Sequence, residues 1–134
     1  MAPERYLLDT SALLTLIEDE AGAERVEHLL THSQVLLPYL VLLEAYYVTQ
    51  QERGPAEADR RYALIRHLPA TILWEMDEPT LITAARLKAG HRLSLADALI
   101  AAFVLQQGAI LVHKDPEFES LAGQLALEAL PYKA

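Results

Sequence analysis

A run of four residues with no polar side chain, Ala109–Val112, constrains the fold more than any other feature of the sequence. A short, wholly apolar run is typical of a strand covered on both faces, as in parallel sheets whose crossovers are helices. Other strand-like segments lie at 5–8, 35–37, 70–74 and 125–128, and helical patterns fill most of the intervals. This alternation predicts the α/β class, as a three-layer α/β/α sandwich with a central parallel sheet.

Prolines and glycines mark the ends of the predicted helices. Pro38 is expected to open a helix that runs to about Arg53, since proline suits the first helical turn. Ser94 is expected to begin a helix that Gly108 ends. The predicted helices are 11–18, 23–31, 38–53, 57–68, 77–89, 94–107 and a short one at 120–122.

Length and composition restrict the class of protein. The 134 residues predict one domain, 1–134, and the absence of cysteine excludes disulfides and thiolate metal sites. The first residues do not resemble a signal peptide, and no apolar stretch approaches the roughly 20 residues of a membrane span. We therefore expect a cytoplasmic protein without a membrane partner. The net charge of −8 argues against binding nucleic acid by general attraction, unless metal ions neutralise the site.

Two aspartates follow predicted strands. Asp9 comes directly after the first strand, and Asp115 comes shortly after the apolar run 109–112. Ligands of open parallel sheets bind just beyond the carboxyl ends of strands. Each residue also suits a simpler role, because Asp9 or Thr10 can cap one helix and Asp115, followed by Pro116, can cap another.

Two further acids interrupt apolar helical segments. Glu44 is the only charged residue in YLVLLEAYYV, and an isolated buried carboxylate is costly without a partner, a cation or a proton. The alternative is an exposed helix edge with a hydrogen bond to a tyrosine. Asp97 lies in SLADALIAA, where Ser94 and Asp97 have the spacing of a capping box. Each acid taken singly leaves both interpretations open.

The combination favours a metal site. If the sheet brings Asp9, Glu44, Asp97 and Asp115 together, their charges repel and raise one another's pKa values. Hard divalent cations relieve that repulsion, and ligation by oxygen alone suits Mg²⁺ or Mn²⁺. Such sites hydrolyse phosphodiesters.

Four segments in order, LLDTSALL, LLEAYYV, LSLADALIAA and ILVHKDPEFE, resemble the PIN-domain ribonucleases, most closely the VapC-type toxins of toxin–antitoxin pairs. The similarity spans essentially the whole chain. It implies an endonuclease that cleaves RNA with Mg²⁺ or Mn²⁺, held by Asp9, Glu44, Asp97 and Asp115. It also implies that Ser11 orients Asp9 or a water, that Glu117 is an additional outer acid, and that the protein forms a homodimer and binds an antitoxin.

The chain departs from the family where a threonine often stands two residues before the fourth acid, because His113 is found there. His113 either replaces the threonine's hydrogen bond, contacts phosphate when protonated, or weakens the site. Other candidates for phosphate contact are Lys88, Arg92 and Lys114.

Three other functions stay open. One is a housekeeping RNA-processing nuclease. Another is a receiver- or phosphatase-like phosphoryl-transfer protein that uses Asp9 and Lys114, although this leaves Glu44 unexplained. The third is a binding module that has lost turnover.

Overall fold

The computed structural model describes residues 4–133, and a sheet of five parallel strands lies at its centre. The strands follow the order β3-β2-β1-β4-β5 across the sheet. Their bounds are β1 Arg5–Leu8, β2 Gln34–Pro38, β3 Thr71–Leu73, β4 Ile110–His113 and β5 Ala126–Ala129. The predicted α/β class and parallel sheet are confirmed.

Helices fill the connections between the first four strands. Two helices follow each of β1, β2 and β3, and a 3₁₀ helix at Pro116–Leu121 joins β4 to β5. The α-helices are α1 Thr10–Ile17, α2 Ala23–His32, α3 Tyr39–Arg53, α4 Pro55–Arg66, α5 Glu78–Gly90 and α6 Leu95–Gln107. No helix in the described part of the chain is both long and apolar enough to cross a membrane.

The core consists of the central strands and the helix faces packed on them. Leu7 and Leu8 of β1 and Leu111 and Val112 of β4 have no exposed surface, as expected for strands covered on both faces. On α6 Ala98, Ala101 and Ala102 are also buried, which lets the helix approach its neighbours closely. This helix ends at Gly108, whose φ of 60° is the left-handed conformation that glycine adopts without strain.

The strand order reverses between β1 and β4. From β1 the chain proceeds through β2 to β3 on one side, and then crosses to β4 and β5 on the other. In open α/β sheets a crevice forms at this reversal, outside the carboxyl ends of the two strands. Asp9 follows β1 and Asp115 follows β4 within two residues, so both lie at this edge.

Several predicted boundaries differ from the structure, and α4 lies two residues earlier than expected, at Pro55–Arg66. Pro38 is the last residue of β2, with an extended ψ of 147°, and α3 begins at Tyr39 instead. Proline's fixed φ suits both positions, and pairing with β3 decides between them. The short helix covers Pro116–Leu121 rather than 120–122, and β5 lies one residue later than expected.

Candidate active site

Asp9 is a carboxylate buried at the switch in strand order. Its backbone N–H donates to the carbonyl of Val112, which extends the pairing of β1 with β4 by one residue. Its Oδ1 accepts from the N–H of Ala12 at 2.8 Å, so Asp9 does cap α1. Burial, with the nearby charges of Asp97 and Asp115, raises its pKa to about 7, although the cap and a bond from Ser11 oppose this rise.

Ser11 connects Asp9 to the segment after β4. Its hydroxyl lies 2.7 and 2.8 Å from the two carboxylate oxygens of Asp9 and donates to them. The same hydroxyl accepts from the backbone N–H of Lys114 at 2.9 Å. Ser11 therefore orients the Asp9 carboxylate and holds it in register with the loop that carries Asp115.

Asp97, Asp115 and Glu117 form a close group of acids. Each contributes a carboxylate oxygen, and these atoms all lie within 4.8 Å of one another. Burial, followed by the charges of Asp115 and Glu44, raises the pKa of Asp97 to about 6. Asp97 and Asp115 are half-buried, whereas Glu117 is exposed. Glu117, expected as an additional outer acid, is thus a member of this group and its exposed side.

Helix starts position these aspartates. Asp97 is in the first turn of α6, where Ser94 accepts from its backbone N–H. Asp115 caps the 3₁₀ helix by accepting from the N–H of Glu117 at 2.9 Å. Capping and membership of the cluster are therefore compatible, since a helix N-terminus carries partial positive charge that favours an anion.

Glu44 reaches the same region from α3. Its Oε1 accepts from the hydroxyl of Thr10 at 2.7 Å, and its charge contributes to the raised pKa of Asp97. The partner is a threonine at the start of α1, not the tyrosine considered from the sequence. This role of Thr10 was missed, and its place beside Asp9 in the DTS turn was the available signal.

Lys114 points away from the acids. Its Nζ donates to the carbonyl of Ala21 at 2.9 Å and lies 3.8 Å from Glu20. Only 4% of its side chain is exposed. This placement argues against the predicted phosphate contact, because the ammonium is already bound and covered.

His113 is also turned inward. The residue is 1% exposed, and its ring packs edge-on against Phe118. Burial lowers its pKa, which disfavours the imidazolium that a phosphate contact would need. Of the three interpretations of His113, the hydrogen-bonding one fits this position.

The two remaining basic candidates are exposed, unlike Lys114 and His113. Lys88, at the end of α5, and Arg92, in the loop before α6, are exposed and stay candidates for phosphate contact. Within residues 4–133, no basic side chain forms an ion pair with Asp9, Asp97 or Asp115. The donor set is carboxylate oxygen throughout, which is the set that hard divalent cations prefer.

Comparison with known proteins agrees with this architecture. Among solved structures, VapBC2 from Rickettsia felis bound to a promoter DNA fragment is 17% identical over 95% of this chain and 99% of that one, with a TM-score of 0.78. The Mycobacterium tuberculosis toxin VapC20, described as cleaving the sarcin-ricin loop, is 18% identical over 94% and 99%, with a TM-score of 0.72. PAE2754 from Pyrobaculum aerophilum is 22% identical over 94% and 89%, with a TM-score of 0.70.

At these identities the structural likeness establishes the fold alone. No curated protein matches the sequence significantly. The PIN domain model, however, matches residues 6–124, which is nearly the whole chain and includes all five clustered acids. The chain belongs to the PIN-domain family.

Proposed function

We propose that the chain is an endoribonuclease that requires Mg²⁺ or Mn²⁺ and acts as the toxin of a toxin–antitoxin pair. The observation that carries the proposal is the group of Asp97, Asp115 and Glu117 oxygens within 4.8 Å at the switch in strand order. The raised pKa values of Asp9 and Asp97 add support, since they indicate repulsion and burial that a cation would relieve.

In this proposal Asp9, Glu44, Asp97 and Asp115 hold the cation, and Glu117 is an additional outer acid. A bound divalent cation supplies the positive charge that polarises a phosphodiester and makes water more acidic. Ser11 keeps both oxygens of Asp9 oriented, and Thr10 fixes one oxygen of Glu44. The buried side of the cluster restricts water, which strengthens the interaction of these carboxylates with a cation.

RNA is the proposed substrate, and the exposed Lys88 and Arg92 are the proposed phosphate contacts beside Asp97. One structural neighbour is described as a toxin that cleaves the sarcin-ricin loop, which favours RNA over DNA. We propose that the protein acts in the cytoplasm, where such a substrate occurs.

An antitoxin and a second copy of the chain are the proposed protein partners. Several structural neighbours are complexes described as VapBC, which supports the antitoxin. An apolar groove of about 330 Å³ is lined by Tyr39, Leu42, Leu43, Tyr46, Tyr62 and Trp74. Exposed Leu43 and Trp74, with three partly buried tyrosines in the same groove, support a protein interface, for which homodimerisation is our proposal.

The phosphoryl-transfer alternative loses its proposed lysine, because Lys114 is bound to the Ala21 carbonyl. The RNA-processing nuclease shares the same site and differs only in its biological target. A non-catalytic binding module would bind RNA without cleaving it.

The test is cleavage of labelled RNA by purified protein with Mn²⁺, with EDTA, and with Asp9→Asn as the matched variant. We expect cleavage by the wild type with Mn²⁺, and none with EDTA or with the variant. Cleavage that survives Asp9→Asn would indicate a contaminating nuclease, and no cleavage of any RNA would favour the binding module. Growth arrest on expression, relieved by a neighbouring open reading frame, would separate a toxin from a processing enzyme.

A further inference from the structure

His113 contacts the loop that carries Asp115 through one specific hydrogen bond. The backbone N–H of Asp115 points at the Nδ1 of His113, and the two nitrogens are 3.2 Å apart. An amide N–H can only donate, so Nδ1 must offer a lone pair and the ring carries its proton at Nε2. The bond spans two residues and closes the turn between β4 and the 3₁₀ helix.

The ring that makes this bond is held on several sides. Phe118 packs against it with ring centroids 5.4 Å apart, and Tyr132 lies 6.2 Å away. The backbone of the same residue accepts from the N–H of Leu130 at 2.7 Å. The hydroxyl of Tyr132 donates to Glu119, which ties the C-terminal segment to the 3₁₀ helix. Nδ1 therefore has a fixed position relative to the Asp115 amide.

The direction of the Asp115 carboxylate depends on this amide. Its Oδ1 is used to cap the N–H of Glu117, and its backbone carbonyl accepts from Phe118. With the carbonyl and carboxylate bonded forward to the 3₁₀ helix, the bond to His113 is the one described contact of Asp115 that reaches back to β4. Loss of that bond would free the turn to rotate and move Asp115 relative to Asp97.

We propose that His113 is a positioning residue for the metal site: its Nδ1 acceptor fixes the Asp115 backbone so that the carboxylate meets Asp97 and Glu117. This inference rests on the proposed function, since it takes Asp115 to be a ligand. The residue acts through Asp115 and does not touch substrate. A simple packing role is the competing explanation, because the ring is buried.

Three substitutions separate the acceptor from the packing. His113→Asn retains an acceptor, Oδ1, the same two bonds from Cβ as Nδ1, but it is smaller and leaves a cavity. His113→Gln moves the acceptor one bond further out. His113→Leu preserves the volume and the apolar contacts with Phe118 and removes the acceptor. If packing alone matters, Leu is tolerated best; if the acceptor matters, Asn is.

The measurements are the Mn²⁺ dissociation constant from calorimetry, kcat and KM for RNA, the melting temperature, and the amide resonance of Asp115 in ¹⁵N–¹H spectra. We expect His113→Leu and His113→Gln to weaken Mn²⁺ binding roughly tenfold, in the range seen for outer-shell partners of metal ligands. We expect His113→Asn to remain within about threefold of the wild type, although it melts at a lower temperature than His113→Leu. KM for RNA should change little, and the Asp115 resonance should shift further in the Leu and Gln variants than in the Asn variant.

Two results would overturn the inference: unchanged Mn²⁺ affinity in all three variants, or affinities that follow the melting temperatures. A wild-type protein that neither binds Mn²⁺ nor cleaves RNA would instead overturn the proposed function, and the role of His113 in metal binding with it. The wild-type and variant measurements therefore distinguish the two failures.

Discussion

Two groups of carboxylates lie partly buried in this protein, and their surroundings shift the carboxylate pKa values in opposite directions. Around Arg61, Glu18 and Glu57 receive hydrogen bonds from the guanidinium, whose side chain is only 7% exposed. Bonds from Arg60 and then Arg61 lower the pKa of Glu57 to about 2. At the switch in strand order, the pKa values of Asp9 and Asp97 rise to about 7 and about 6.

The difference separates a structural cluster from a candidate binding site. The Arg61 group contains its own cation, so it is electrostatically complete in the folded chain. The Asp97 group has helix N-termini and hydroxyls around it but no ion pair among residues 4–133. Uncompensated negative charge of this kind is typical of a binding site, where a bound cation supplies the positive charge.

The largest effect that we expect is on catalysis, from a substitution in the Asp97 group. Asp97→Asn should lower RNA cleavage by on the order of 100-fold or more, since even outer-shell partners of metal ligands cost roughly 10–100-fold. Glu57→Gln, the matched change in the Arg61 group, should leave kcat unaltered. Single-turnover cleavage with Mn²⁺ measures both, and equal losses would remove the distinction between the two groups.

Stability, unlike catalysis, should depend on the Arg61 group more than on the Asp97 group. Arg61→Leu removes the buried cation of this group, although Glu57 keeps Arg60 and Glu18 keeps Arg53, and we expect it to lower the free energy of unfolding by about 2 kcal/mol. The cost stays below the roughly 3–5 kcal/mol of a fully buried pair, because both glutamates are partly exposed. Urea denaturation measures the change. A variant as stable as the wild type would show that the Arg61 group is not structural.

The pH dependence of the metal-free protein provides a third test. The folded pKa of Asp9, about 7, lies above its unfolded value, so the folded state binds the extra proton between about pH 4 and pH 7. Its contribution to stability is present below pH 4 and is lost as the pH rises towards 7. Asp9→Asn should therefore melt roughly 5 °C above the wild type at pH 8, and at the same temperature at pH 4.

Adding Mn²⁺ should reverse the order of the two melting temperatures at pH 8. Wild type binds the ion in its folded state and should gain stability at pH 8, whereas Asp9→Asn should gain much less. Calorimetric scans with and without the ion measure this. If the wild type melts at a higher temperature than Asp9→Asn in EDTA at pH 8, the result would contradict the raised pKa of Asp9.

The smallest effect is expected at the exposed cations. Arg92→Ala should raise KM for RNA by about threefold through the loss of one phosphate contact, because exposed charges contribute roughly 1 kcal/mol or less. The melting temperature should not change. Glu78→Gln, an exposed change on α5, serves as the control for altered surface charge. Unchanged cleavage kinetics would remove Arg92 from the site.

Much of the fold follows from short-range patterns. The apolar run at 109–112 predicts β4, and Ser94 and Gly108 predict the ends of α6, because burial and capping are properties of a few adjacent residues. Pro38 shows the limit of this reasoning. Its φ permits a strand end or a helix start, and only the neighbouring β3, more than 30 residues later in sequence, decides.

The same limit applies to the site. Asp9, Asp97 and Asp115 could be predicted from their places after strands or at a helix start. The orientation of Lys114 could not, because its Nζ binds the carbonyl of Ala21, which is 93 residues earlier. The closeness of Glu117 to Asp97 and Asp115 likewise depends on the 3₁₀ helix in which Glu117 lies.

The position of β1 in the middle of the sheet has a consequence for how the protein opens. β1 is hydrogen-bonded on both sides, by β2 and β4, so the amides around Asp9 should exchange with solvent only on global unfolding. Asp115 and Glu117 lie at the start of a single 3₁₀ helix that leads to the edge strand β5, and we expect this segment to open at a lower free energy than β1, although its Phe118 and Leu121 are buried. We therefore expect the acidic cluster to come apart from one side, with Asp115 and Glu117 leaving a still-folded chain that retains Asp9.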